Sequence, residues 1–401
     1  MHVKKGKLVI VIVAASAVVA VLFLINKMNE SESSIAGVDL LTEVTSTGEQ
    51  VVGAAIEYTV PITSTNLSET SYSVQAIKGG HHISRNVEHV YVGQAPELGN
   101  PVSEGHYVII EFSGNDLHGG TLSWNGSKYQ SSRPTPMYRI QQVEAITTSD
   151  GQQLPPTSDE VVSTGERSPV VESFSYESYQ NQAGATLPYR LYEPNQEEGE
   201  RYPLVLFLHG GGERGNDNQI HLLGSEGGVA FARPDVQEQH PSFVVAPQAP
   251  YDPSVPLLEG WTTEPTYSMV LELVELMKER YPIDPDRIYI HGMSMGGIGT
   301  WNFIETNPDL FAGAIAICGY GHPERAEAIK DVPIWAFHGE DDKIIDVSGS
   351  RLMVEALEKV GGHIRYTEFK TGELRSPHSA WGPVYEDKRV IEWLYAQSRA
   401  N

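Results

Sequence analysis

The sequence predicts two units of different architecture: an all-β sandwich over residues 38–147, then a mostly parallel sheet with helices on both faces over residues 170–401. Three observations carry this. Short β-rich runs recur between turn-forming clusters in the first part. Strand-like apolar runs alternate with helical spacing in the second. A polar stretch over residues 148–169, with Pro155-Pro156 and Ser149-Asp150-Gly151, reads as a linker between them.

An apolar segment precedes both, within residues 1–37. Residues 8–25 are apolar except for Ser16, with Lys4, Lys5 and Lys7 ahead and Glu30 and Glu32 behind. This pattern predicts an export signal or membrane anchor with the bulk of the chain extracytoplasmic. No polar face runs along it, which argues against a buried core helix. Ser34-Ile35-Ala36 resembles a cleavage site but lies well past the apolar core, so an uncleaved anchor is preferred over a secreted product.

In the sandwich, strands are expected at residues 51–60, 72–77, 87–92, 107–112 and 137–146. The run 107–112 alternates only in part, so burial on both faces is expected there. In the second unit, residues 204–208, 243–246, 288–290, 314–317 and 334–337 are short apolar runs that suit buried parallel strands. Residues 267–280, 297–305 and 350–360 have helical spacing, with Val270, Leu273, Val274 and Met277 forming one stripe.

Composition excludes several classes. The 38 Gly and 25 Pro are scattered among apolar runs, against a disordered or fibrous chain. The formal charge of -24 would repel phosphate backbones, so nucleic acid is not an expected partner. Cys318 stands alone, so no intramolecular disulfide can form, and it reads as a small buried hydrophobe. His81-His82, beside Gly79-Gly80, has no Cys or carboxylate at ligand spacing and reads as a turn, so no metal site is expected.

The chemistry centres on Gly292-Met293-Ser294-Met295-Gly296. A strand-like run precedes it and a helical pattern follows, the setting that a strained strand-to-helix turn needs to present a nucleophilic serine. Glycines flank Ser294 because such a turn leaves no room for Cβ atoms. A serine hydroxyl needs a base and a carboxylate to orient that base. Strand 334–337 runs into His338-Gly339-Glu340-Asp341-Asp342, and His378 lies beyond, so serine, acid and histidine follow in that order. Asp342 is the preferred acid, with Asp341, Glu340 and Asp346 as alternatives. The loop His209-Gly210-Gly211-Gly212 after strand 204–208 offers backbone N–H groups for an oxyanion, Gly211 first and Gly212 second, with the Met295 N–H as the other donor. Trp261 and Trp381 either line an acyl or alcohol pocket or pack in the core.

On these residues, together with Ala246-Pro247-Gln248 and Gly297, the chain from about residue 172 to 397 resembles an α/β-hydrolase esterase of the prolyl-oligopeptidase-like, dienelactone-hydrolase and phospholipase/carboxylesterase group. The resemblance implies that Asp342 is the acid, since the family pattern is histidine-glycine-x-x-aspartate. The sandwich is similar in size and placement to the immunoglobulin-like domain that precedes some bacterial carboxylesterases, which implies a role in assembly or in shaping the active site. Met293 and Met295 depart from the glycine and aromatic residue that usually flank the nucleophile in peptidases of the group.

The expectation is therefore a serine carboxylesterase acting on small-molecule esters through an acyl-enzyme, with no cofactor. Its membrane contact would be through the N-terminal segment, and homo-oligomers could form through the sandwich. A serine peptidase and a non-catalytic surface binding protein are the alternatives.

Overall fold

A computed structural model describes residues 34–400. The apolar segment 8–25 lies outside the described residues. Among those described, no helix is long and apolar enough to cross a membrane.

Two sheets face each other in the first unit. One is ordered Gly165–Arg167, Ile35–Thr45, Gly48–Thr63, Glu104–Phe112, Val87–Gly93, and the other Val161–Val162, Met137–Gln142, Tyr72–Lys78, His81–Ser84. Val38, Leu40, Ile56, Val108 and Ile110 from the first sheet meet Val74, Ala76, Tyr138 and Ile140 from the second in one core. The Tyr58 hydroxyl, placed inside that core, donates to Gln142 Oε1 at 2.9 Å and lies 2.8 Å from the Tyr72 hydroxyl, so these buried polar groups are partnered. The five runs expected as strands all lie in strands, although 137–146 divides into Met137–Gln142 and Ile146–Thr147. Val108, Ile109 and Ile110 are all buried, because Ile109 packs with Leu41 and Ala55 on the outer face under Leu98.

Further strands in this part were not expected from sequence. Ile35–Thr45 begins ahead of the first run recognised in sequence. His81 and His82 open the strand His81–Ser84, and the turn before them is made by Gly79 and Gly80, both at positive φ. Residues 148–169 carry the short strands Gln153–Leu154, Val161–Val162 and Gly165–Arg167, of which the last runs parallel to Ile35–Thr45.

The second unit is built on an eight-stranded sheet ordered Phe174–Gln180, Thr186–Tyr192, Phe243–Pro247, Tyr202–Leu208, Ile283–Met293, Gly313–Ile317, Ile334–Gly339, Ile364–Phe369. The first pair is an antiparallel hairpin and Thr186–Tyr192 is antiparallel to Phe243–Pro247; every later pairing is parallel. Helices cover both faces. Thr266–Arg280 lays Met269, Val270, Leu273, Val274 and Met277 on one face, with Trp261 and Trp301. Lys388–Tyr395 lays Val390, Ile391 and Leu394 on the other, with Phe207, Phe231 and Ile315. Each such fully buried side chain contributes roughly 1.5–3 kcal/mol. Because the parallel strands share one direction, their carboxyl ends form a single rim, and the loops carrying His209, Ser294, Asp342 and His378 meet there.

Candidate active site

Ser294 occupies the single residue between strand Ile283–Met293 and helix Met295–Thr306, with φ 56° and ψ -121°. A non-glycine residue in this region carries strain of about 1–3 kcal/mol and persists only where its surroundings fix it. Here the Ser294 N–H donates to the Ile317 carbonyl at 2.8 Å and its own carbonyl accepts from Ile298 N–H at 3.0 Å. The glycines answer to close approach: a Cβ on Gly292 would lie 2.4 Å from the Gly296 carbonyl oxygen, and one on Gly296 only 1.9 Å from that of Leu208.

His378 reaches the serine from the loop ahead of helix Trp381–Glu386, with Nε2 2.9 Å from Ser294 Oγ and Nδ1 2.6 Å from Asp342 Oδ2. Asp342 is fully enclosed. Its Oδ1 accepts from the backbone N–H groups of Ile344 at 2.8 Å and Ile345 at 3.1 Å, while His338 Nε2 stands 3.3 Å from Oδ2. Burial alone would push this carboxyl up. Hydrogen bonds from His338 and His378, the charge of His378 and the Ile344 amide outweigh it and hold the carboxyl well below the usual range. An ionised carboxylate only accepts, so His378 Nδ1 must donate to it, leaving Nε2 free to accept the serine proton. Two of the other carboxylates considered from sequence serve elsewhere. Asp346 accepts from Ser348 N–H at the start of helix Ser348–Lys359, and Glu340 pairs with Lys370.

His338 was read in sequence only as part of a motif. It is completely buried, with Nδ1 2.8 Å from Ser350 Oγ and Nε2 2.9 Å from the Ile345 carbonyl, and so fixes the far side of Asp342. Cys318 is buried as expected, but against the site: its sulfur, an Asp342 oxygen and a His378 nitrogen lie within 4.8 Å of one another. Burial and the neighbouring Asp342 push the thiol up to about 12, so it stays protonated and is poorly suited to bind a metal as thiolate.

The glycine loop wraps the other side of the serine. A Cβ on Gly210 would stand 3.7 Å from Ser294 Cβ; one on Gly211 would strike Leu257 at 2.7 Å, and one on Gly212 the ring of Trp124 at 2.9 Å. Gly211–Glu213 forms a single 3₁₀ turn, and Met295 opens the helix after the serine, so both places present early-turn N–H groups with no partner inside their own turn. Glu213, which the sequence reading passed over, folds beneath this loop. All but 12% of its side chain is enclosed, Oε2 has no hydrogen-bond partner, and burial raises the carboxyl to about 7 against the opposing backbone amides of Glu213 and Gly210.

The two tryptophans separate. Trp261 does not line a pocket: it is fully buried, packs edge-on to His209 at 4.8 Å and donates Nε1–H to the His209 carbonyl at 2.9 Å, bracing the start of the glycine loop from the core. Trp381 stands edge-on to His378 at 5.5 Å and donates Nε1–H to the carbonyl of Ser46, in the sandwich turn after Ile35–Thr45, at 3.1 Å. The sandwich thus touches the loop that carries His378 and, through Trp124, the glycine loop.

The sheet order and the strained serine between strand and helix define an α/β-hydrolase. Residues 37–155 match the family described as the esterase Ig-like N-terminal domain, and residues 262–384 match the phospholipase/carboxylesterase family. A thermostable esterase of known crystal structure is 37% identical, with a TM-score of 0.85 over 91% of this chain and 100% of that one. The chain belongs to this family of α/β-hydrolase esterases with an immunoglobulin-like domain ahead of the hydrolase fold. Curated relatives include the bifunctional acetylxylan esterase/xylanase XynS20E of Neocallimastix patriciarum, 28% identical over 42% of this chain and 23% of its own length. Another is poly(3-hydroxyalkanoate) depolymerase C of Paucimonas lemoignei, 42% identical over 12% of each chain. The chain spans under a quarter of the length of either of these two.

Proposed function

We propose that this chain is a serine carboxylesterase in which Ser294 is the nucleophile, His378 the base and Asp342 the residue that orients the base. The unbroken line of hydrogen bonds from Asp342 Oδ2 through His378 to Ser294 Oγ, at the strained turn, carries the reading.

Ser294 Oγ attacks the ester carbonyl carbon as its proton passes to His378 Nε2, and Asp342 stabilises the imidazolium that forms. The negative charge on the former carbonyl oxygen is met by the Met295 N–H and the amides of the Gly211–Gly212 turn; a donor of this kind is worth about 2.7–4 kcal/mol in the barrier. When the tetrahedral species collapses, the C–O bond to the alcohol breaks and His378 returns the proton to the leaving oxygen. Water then gives a proton to His378 and attacks the acyl-enzyme; collapse releases the acid and restores the serine hydroxyl.

Hydrolysis of p-nitrophenyl acetate by Ser294→Ala tests this. A fall of at least about 10³-fold is expected; activity at the parent rate, or peptide amides turned over faster than esters by the parent, contradicts it. An extracytoplasmic location with attachment through residues 8–25, and assembly through the sandwich, are proposed from the sequence and read out by cell fractionation and native mass.

A further inference from the structure

A short hairpin leaves the sandwich between its two sheets and reaches the hydrolase unit. Strand Ser123–Asn125 pairs with Gln130–Ser132, Trp124 opposite Ser131. Both ends of the hairpin are tied to one buried carboxylate: Thr121 Oγ1 and Arg133 Nε each donate to Glu49 Oε2 at 2.6 Å. Its far side is tied to the glycine loop, where Gln130 Nε2 donates to the Arg214 carbonyl at 3.0 Å and Arg214 Nε in turn donates to the Gly211 carbonyl at 3.2 Å. The hairpin is held from both units.

At its tip two large rings face outward. Trp124 is 59% exposed and Tyr129 55%, edge-on to each other at 6.0 Å. One edge of the Trp124 ring rests on Gly212, where a Cβ would come within 2.9 Å of Cζ3, so glycine there is what admits the indole. Two residues back along the same loop, Gly210 abuts Ser294. An indole anchored on the loop that borders the reacting serine, with most of its surface left open, presents a flat apolar surface two residues along that loop from the glycine that abuts Ser294.

We propose that Trp124, backed by Tyr129, is a stacking subsite for an aromatic ring in the acyl or alcohol part of the ester, so that the sandwich supplies part of the substrate specificity. This rests on the esterase reading above.

The test uses the full chain and matched pairs of esters that differ in a ring against a linear chain: benzyl against hexyl acetate for the alcohol side, and methyl 3-phenylpropanoate against methyl octanoate for the acyl side. The parent is expected to favour the ring member of at least one pair. Trp124→Ala should lower that ratio of kcat/KM by about two- to tenfold, the worth of one aromatic pair, and Trp124→Phe should restore most of it. Equal losses for ring and linear esters would reduce Trp124 to a support for the glycine loop and overturn the subsite. So would a ratio that stays at the parent value, including the case where only the native mass changes because the hairpin is an oligomer contact. Ser294→Ala, run alongside, reports on the hydrolase reading separately.

Discussion

Asp342→Asn separates the orienting role of this carboxylate from its structural one. In the parent, Oδ1 caps the Ile344 and Ile345 amides while Oδ2 receives His378 Nδ1–H at 2.6 Å and lies 3.3 Å from His338 Nε2. The asparagine oxygen can keep the two backbone bonds, which places its NH₂ group against both histidines. His338 cannot adapt, because its Nε2–H is already directed at the Ile345 carbonyl at 2.9 Å. His378 adapts by moving its proton to Nε2, which then faces Ser294 Oγ as a donor instead of an acceptor. The base is lost while the fold is kept. The expected fall in kcat is about 10³- to 10⁴-fold, with a stability loss of about 1–3 kcal/mol from the mismatched buried donors. Steady-state hydrolysis of p-nitrophenyl acetate and a melting curve measure the two effects. Asp341→Asn is the control and should retain the parent rate. A kcat within tenfold of the parent in Asp342→Asn, or the larger loss in Asp341→Asn, would refute the assignment.

Gly296→Ala places a Cβ 1.9 Å from the Leu208 carbonyl oxygen, backbone that cannot swing aside, and should cost about 3 kcal/mol or more in urea unfolding. Trp381→Phe keeps a ring against His378 but deletes the bond to Ser46; about 1 kcal/mol of stability and a severalfold fall in kcat with little change in KM are expected. Glu213 titrates near 7 when folded against an ordinary 4.5, so the folded state binds more protons between these values and the parent loses stability as pH rises through that window. Glu213→Gln escapes this loss, and its melting temperature relative to the parent should climb from pH 4.5 to 7.5, by the equivalent of on the order of 3 kcal/mol.

What the sequence revealed follows burial. The central strands Tyr202–Leu208, Phe243–Pro247 and Gly313–Ile317 are buried at every residue and stand out as apolar runs. The strands missed in the same sheet are its two outermost, Phe174–Gln180 and Ile364–Phe369, with Thr186–Tyr192 beside the first. The outer two carry Ser175, Ser178 and Arg365 at exposed positions and the half-buried acids Glu177 and Glu368 among their apolar residues, which erases the run. The proposed catalytic residues were legible because Ser294 and Asp342 sit in local motifs just after strands and His378 follows them in the expected chain order, on the loop before helix Trp381–Glu386. Their supports were not. Trp381 bonds a residue 335 positions away, Trp124 meets Gly212 from another unit, and Trp261 owes its place to a core that no periodicity describes. Glu213 follows the glycine loop directly, and only its enclosure, with no donor reaching Oε2, distinguishes it from an ordinary surface acid.

The most direct measurement is to quench the parent with acid during turnover of a slowly deacylated ester and locate the acyl mass by peptide mapping. The adduct is predicted on the peptide containing Ser294, accumulating further in His378→Gln if that variant is first acylated by an activated ester. An acyl group on any other residue, or steady turnover with Ser294 never modified, would contradict the account.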